Sequence, residues 1–302
     1  MQSKSGVYAL LALMPLLFAS NLVIGRASTA LVEPWTLAFW RWALAALIVL
    51  PFAWSGVRAQ WPALRALWRE VLVLGLLGMF FCGGVVYASL HATTATNATL
   101  LYTASTLFIV LLDTVWFGHP LTRTRAAGVI IGFLGVATIV LQGEPERLVT
   151  LDLNWGDLGI AFSAFSWGIY TVMLRAERFH GLSTLPLFAL IAIAGTATLA
   201  PPMLYETVAL NAFPDAGAAW ASIAALAIMP SVLAFWIYQI GIREVGPSIT
   251  GVFLYLIPVY GVLLAVLTLG ESFRLFHAVG LVLVVAGVVL ATDPFKALQA
   301  RR

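Results

Sequence analysis

Seven side chains with hydrogen-bonding or stacking chemistry stand inside long apolar stretches of this 302-residue chain: Asn21, Tyr87, Thr99, Tyr102, Trp167, Tyr170 and Tyr255. In hydrocarbon an unpaired amide or hydroxyl is costly, so each must bond a neighbouring helix or face a solvated hollow. For Asn21 both readings stand. Trp167 lies three residues before Tyr170, on the same face of a helix, and reads either as an interfacial belt residue or as a lining group. Tyr102 and Tyr255 fall several residues inside their stretches, where a buried hydroxyl needs a partner, whereas Tyr87 and Tyr238 fall nearer the ends. The chemistry these groups offer is recognition: stacking for an aromatic or apolar body and hydrogen bonds for a polar end. Covalent catalysis has no support. H-E-x-x-H and G-x-S-x-G are both absent, and His91, His119, His180 and His277 fall at loops or helix ends. Cys82, the single cysteine, excludes a disulfide framework and supports no thiolate metal site, and packing explains it. The residues imply no cofactor and no metal.

Three further groups qualify that site. Asn97, Thr99, Thr103 and Thr106 form a hydroxyl-rich strip with Tyr102 in the segment ATTATNATLLYTAST. Such hydroxyls most often bond their own backbone, but their density here points one helical face towards water or solute. Pro258 removes a backbone bond inside an apolar stretch and reads as a gating hinge or a packing kink, as do Pro15 and Pro230. The charges nearest the apolar stretches, Arg41, Asp113, Glu206 and Glu271, fall within a turn or two of expected helix ends, where snorkelling suffices. On that expectation no carboxylate lies at mid-depth to couple transport to protons or sodium.

The elements that position these groups follow from composition. The chain is 62% hydrophobic and 10% charged, with a mean hydropathy of +0.99, against about 25% charged in a soluble domain. Its apolar runs have the length of bilayer-spanning helices and lack the alternation of barrel strands. The fold class expected is all-α: a polytopic membrane protein of ten transmembrane helices at about 7–25, 36–54, 71–90, 97–117, 126–142, 157–175, 185–205, 218–240, 247–269 and 275–292. The first run reads as a span and not as a cleaved signal peptide. Laid on ten crossings, twelve Lys and Arg residues fall on one side and four on the other, which predicts cytoplasmic termini. Basic residues scattered at span ends form no nucleic-acid patch.

The second half repeats the first. Phe18 to Arg26, containing Asn21, aligns with Trp167 to Arg175, containing Tyr170. Gly128 and Gly135 recur as Gly280 and Gly287, and Tyr102 recurs as Tyr255. Five crossings per copy place the copies upside down relative to each other, the build of secondary transporters with the solute site between the halves. The divisions expected are a first repeat at 1–142, an outer linker at 143–156, a second repeat at 157–292 and a basic cytoplasmic tail at 293–302. The glycines read as close helix packing, within a protomer or between two.

Together these segments resemble the drug/metabolite transporter superfamily in its ten-helix EamA-type branch. The residues that carry the likeness are FASNLVIGR, Phe39-Trp-Arg41-Trp-Ala, Trp167-Gly-Ile-Tyr170, Tyr255-Leu-Ile-Pro258, Leu269-Gly-Glu271 and the paired glycines. The resemblance spans the whole chain and is similar also to the aromatic amino-acid exporters of that branch. It implies a central cavity lined by helices 1, 3, 4, 6, 8 and 9. It also implies movement of a small metabolite, foremost an amino acid; the inverted halves point to alternating access, and the lack of a mid-depth carboxylate to facilitated export. A bacterial inner membrane, a small-molecule substrate, no nucleic-acid partner and a monomer or homodimer go with it. Where the family often has Gly-Glu this chain has Gly118-His119, and Ser105 stands opposite Pro258, so the first repeat is the more degenerate. An importer, a channel-like permease, a proton-coupled efflux protein and an intramembrane enzyme are the competing readings.

Overall fold

The computed structural model describes residues 4–28, 31–93, 95–118, 121–149, 154–215, 217–269 and 272–292. Among the described residues the chain is helical, with no strand. In the first half, α1 is Lys4–Ser28, α2 Pro34–Ala59 and α3 Trp68–Ser89, with a short helix Trp61–Ala66 between the last two. The half ends with α4, Ala95–Thr103 continuing as Ser105–Phe117, and α5, Arg123–Val140. In the second half, α6 is Trp155–Met173, α7 Thr184–Ala209 and α8 Gly217–Val245. Next comes α9, running Pro247–Val252, a 3-10 turn Phe253–Tyr255 and Leu256–Leu269, and then α10, Leu275–Thr292. Eight of these are long and apolar enough to cross a bilayer, and α1 contributes a shorter apolar stretch, Gly6–Asn21. The remaining one, α6, has the length but is diluted by Asp157, serines, glycines, Trp167 and Tyr170.

Local chemistry marks the ends. Pro34 and Pro247 occupy first helical positions, where no N–H is needed. Thr122 caps α5, its hydroxyl accepting from the Arg125 amide at 3.2 Å. Asn154 and Asp157 form a reciprocal capping box on α6. Gly118 (φ 65°) and Gly246 (φ 93°) close α4 and α8 in backbone conformations that glycine adopts without strain.

The packing obeys an approximate two-fold exchange of the halves. Helix α1 packs on α8 and α9, as α6 packs on α3 and α4, while α2 pairs with α7 and α5 with α10. The following hydrogen bonds between the ends of the halves join ends that ten alternating crossings place on the same face. On the face bearing the described start of α1, Ser248 donates to Asp113, Gln60 donates to the Gly181 carbonyl (3.2 Å), and Arg178 pairs with Glu70 at 2.5 Å. On the other face Thr93 donates to Asp157, and Glu206 accepts from the start of α2. The glycine pairs serve contact within the protomer. A Cβ on Gly287 would lie 2.4 Å from the Gly132 nitrogen, and one on Gly128 would lie 2.5 Å from the Ala291 nitrogen.

Two features lay outside the sequence expectation. Helices α3 and α8 both widen into π-helix, at Leu76–Val85 and Ala227–Ala234, about 150 positions apart and so at matching places in the repeat. Such wide turns are rare and gather at functional sites. Moreover, three of the four charges assigned to snorkelling are buried: Arg41, Asp113 and Glu206 are 4%, 3% and 4% exposed. Each turns inward because a polar partner waits there, as described below. Glu271 lies outside the described residues.

Candidate substrate site

The side chains that meet between the halves form two adjoining clusters. The first is polar and centres on Arg41, carried by the inward face of α2. That face is the helical stripe Leu37, Ala38, Arg41, Trp42, Ala45 and Ala46, all buried. The Arg41 guanidinium donates from Nε to the Ser231 hydroxyl at 2.6 Å and from Nη1 to Tyr87 Oη at 2.5 Å and Asn21 Oδ1 at 3.1 Å. Tyr87 in turn donates to Asn21 Oδ1 at 2.7 Å. Four helices, α1, α2, α3 and α8, thus converge on one cation. The Trp42 and Tyr87 rings lie against it, 5.1 and 5.7 Å from its central carbon, which adds cation–π attraction. Among the described residues no carboxylate pairs with it.

Ser231 owes its position to the π stretch of α8. Pro230 has no N–H to offer the Leu226 carbonyl, and the Ser231 hydroxyl donates to that carbonyl at 2.8 Å. The bond fixes Ser231 with its oxygen lone pairs towards Arg41. Proline, wide turn and buried cation form one arrangement.

The second cluster is aromatic and continues from the first along α1 and α8, one turn away. Phe18 precedes Asn21 by three residues and Phe235 follows Ser231 by four, so on each helix the two share a face. Phe18 and Trp167 pack on Phe235 edge-on at 5.6 and 5.2 Å and on each other, and Tyr238 packs against both. Trp167 stacks on Tyr170 at 5.2 Å. Tyr170 accepts from Gln239 Nε2 at 3.1 Å, and the Tyr238 and Thr171 hydroxyls meet at 2.8 Å. The α6–α8 bonds repeat in the second half what Asn21–Tyr87 does between α1 and α3 in the first. A Cβ at Gly78 would fall 2.8 Å from the Tyr170 ring, so the π stretch of α3 lets α6 approach.

The predicted residues distribute unevenly over these clusters. Asn21 and Tyr87 come together in the polar one, and Trp167 and Tyr170 in the aromatic one. Tyr102 is half-buried on α4, on the side of Cys82. Thr99, one turn earlier on α4, is half-buried, and its carbonyl takes the Thr103 hydroxyl at 2.6 Å, the local backbone bonding weighed for that strip. Thr106 instead crosses to α9 and donates to the Gly251 carbonyl at 3.1 Å. The Asn97 side chain lies outside the described residues. Tyr255 is fully buried with its ring against Gly132 of α5, and its hydroxyl has no partner among the described residues. Pro258 lies in the first turn of the helix that follows the 3-10 turn of α9, three residues after Tyr255. Cys82 packs between helices, its thiol 3.2 Å from the Ser163 carbonyl. The residues that sequence reasoning missed are Arg41, Ser231, Phe18, Phe235 and Gln239. For Ser231 the signal was present, since it follows a proline inside a span.

Two inverted five-helix halves with hydrogen-bonding and aromatic groups gathered between them define a multi-pass membrane transporter. Comparison with known proteins agrees: the EamA-like transporter family model matches twice, at residues 5–141 and 154–292. The chain belongs to this family, within the drug/metabolite transporter superfamily. It is 27% identical over 295 residues to the uncharacterized transporter YyaM of Bacillus subtilis, covering 96% of this chain and 94% of that protein. It is 27% identical over 285 residues to the aromatic amino acid exporter YddG of Ancylobacter novellus, covering 92% and 94%. A probable terminal-alkyne amino-acid exporter of Streptantibioticus cattleyicolor is 32% identical over 200 residues, covering 65% and 63%. A solved crystal structure at 26% identity covers 98% of this chain and 99% of its own, with a TM-score of 0.76.

Proposed function

We propose that the protein exports amino acids with aromatic or other apolar side chains across a bacterial inner membrane, by alternating access and down the solute gradient. In this reading both termini are cytoplasmic, the linker at 143–156 lies outside, and the repeats at 1–142 and 157–292 rock against each other. One observation carries it: a polar cluster suited to the charged end of an amino acid directly adjoins an aromatic cluster suited to its side chain. Asn21, Tyr87 and Tyr102 contact the polar end, and Trp167 and Tyr170 flank the apolar body. Thr99 lines the approach along α4. Pro258, with Tyr255 beside it, acts as a hinge of α9. The names of the two exporter relatives support the same solute class.

Transport in proteoliposomes with a panel of amino acids, with and without an imposed proton gradient, tests the proposal. Flux of phenylalanine, tyrosine or tryptophan that ignores the proton gradient is the expected result. Asn21→Ala, Tyr102→Ala and Tyr170→Ala are expected to lower that flux while inserting normally. If no amino acid moves but another metabolite class does, the substrate reading is wrong; gradient-dependent flux removes the uncoupled mechanism. In cells challenged with toxic amino-acid analogues, resistance supports export and hypersensitivity supports uptake.

A further inference from the structure

The hydrogen-bond inventory of the central site is lopsided. Its acceptors are engaged: Asn21 Oδ1 takes two bonds, and Tyr87 Oη and Ser231 Oγ take one each. Its donors are in surplus. The Arg41 bonds among the described residues use Nε and Nη1 and leave Nη2 open, and the buried indole nitrogens of Trp42 and Trp167 have no hydrogen-bond partner among those residues. The indoles flank Phe235 from two sides, at ring separations of 4.8 and 5.2 Å. A buried donor without an acceptor is costly, and such donors stand on both sides of this site. The charge is equally one-sided. Hydroxyl, amide and ring faces solvate the Arg41 cation without neutralising it, and ionisable groups inside a membrane are kept for function by default. Arginine has no counterpart in the second half, where α7 is apolar at the corresponding positions.

We infer that Arg41 is the receptor for the carboxylate of the transported solute, and that the carboxylate, rather than the amino group, selects it. This inference rests on the transport reading above and deepens it. Nη2 is open to a carboxylate, and the planar two-bond fork, which a lysine ammonium cannot reproduce, completes on the Nε side when Ser231 releases its bond. The solute's apolar body then falls along Phe235, Trp167 and Phe18, one turn from the guanidinium on both α1 and α8. An ammonium group finds no carboxylate in the described site and meets a like charge at Arg41. The solute class is therefore a carboxylate joined to an aromatic or apolar body, with the amino group dispensable.

Three probes sharing one ring separate the contributions: L-phenylalanine, 3-phenylpropionate, which lacks the amine, and 2-phenylethylamine, which lacks the carboxylate. Each is added to the purified protein in detergent, and the shift in melting temperature is read as binding. Each unlabelled competitor is then tested against phenylalanine flux in proteoliposomes. Phenylalanine and 3-phenylpropionate are expected to raise the melting temperature and to compete, while 2-phenylethylamine does neither at the same concentration. Arg41→Gln is expected to weaken both carboxylates at least tenfold. Arg41→Lys, keeping the charge without the fork, is expected to fall between and still to prefer carboxylates. If 2-phenylethylamine matches 3-phenylpropionate on the unmodified protein, or if Arg41→Gln binds carboxylates normally, the inference fails. The first comparison needs no variant and decides the matter even where Arg41→Gln does not fold. Binding of 3-phenylpropionate through Arg41 without any amino-acid flux would refute the transport proposal alone. Phenylalanine flux insensitive both to 3-phenylpropionate and to Arg41→Gln would refute this inference alone.

Discussion

At the scale of residues, the buried carboxylates hold helix ends in place. Glu206 on α7 accepts from the Trp35 amide at 3.2 Å and from the Thr36 amide and hydroxyl at 2.7 and 2.9 Å, at the start of α2. It supplies from across the halves the cap that α2 lacks locally, where Glu33 makes no side-chain cap bond. Glu206→Gln replaces one accepting oxygen by a donor that faces other donors. It is expected to lower stability by about 1–3 kcal/mol, the worth of hydrogen bonds to a charged group. Thermal unfolding in detergent reads this, and an unchanged midpoint removes the capping role. Asn21 and Tyr170 were legible in the sequence because a polar group in hydrocarbon advertises itself. Arg41 was misjudged because depth was counted along the chain from the helix end, whereas direction decides between snorkelling and burial. Apolar periodicity could not supply that direction: in a bilayer the lipid-facing side of α2, with Leu47 and Phe52 exposed, is as apolar as its buried side.

At the scale of elements, the ten helices were legible almost to their ends, because run length and charge placement are strong signals in a membrane. What happens inside them was not. Nothing in LLGMFFCGGV announces ten residues of π-helix. Pro230→Ala tests whether the wide turn of α8 matters. The restored N–H would compete with Ser231 for the Leu226 carbonyl and release that hydroxyl from its place against Arg41. Stability is expected to hold or rise, by up to about 3 kcal/mol for an interior proline removed, while flux falls several-fold. Loss of both together would mean that the turn serves the fold only. A second pair of variants addresses α5 and α10. Gly287→Ala forces a Cβ against the Gly132 and Gly128 backbones and is expected to cost about 1–3 kcal/mol. Gly261→Ala on α9 meets nothing within 4 Å and is expected to gain up to about 1 kcal/mol from helix propensity. If Gly287→Ala instead leaves the melting point alone and changes the oligomeric state, the glycine face belongs to a dimer.

At the scale of the whole molecule, the repeat sets the frame and its asymmetries set the function. Exchanging the halves preserves which helices pair, yet the cation belongs to the first half and the larger share of the aromatic cluster to the second. A site built from unlike halves must draw on both, so the halves have to part on one face and then on the other for a solute to pass. Both faces carry ties between the halves: Asp113 with Ser248 on the face bearing the described start of α1, and Thr93 with Asp157 on the opposite one. Cysteines at these paired positions probe each face, since a disulfide closes only where the two Cβ atoms come within about 4.5 Å. Asp113→Cys with Ser248→Cys, and separately Thr93→Cys with Asp157→Cys, would lock one face each. Cys82, buried in part and bonded between helices, is the single native thiol, and variants with one added cysteine reveal any reaction through it. Alternating access requires that either lock, alone, halts flux on oxidation and that reductant restores it. A channel-like permease, conducting without parting these contacts, would keep its flux with either disulfide closed. Disulfide formation confirmed by gel mobility together with undiminished transport would therefore rule out the rocking of the two halves, whatever the solute proves to be.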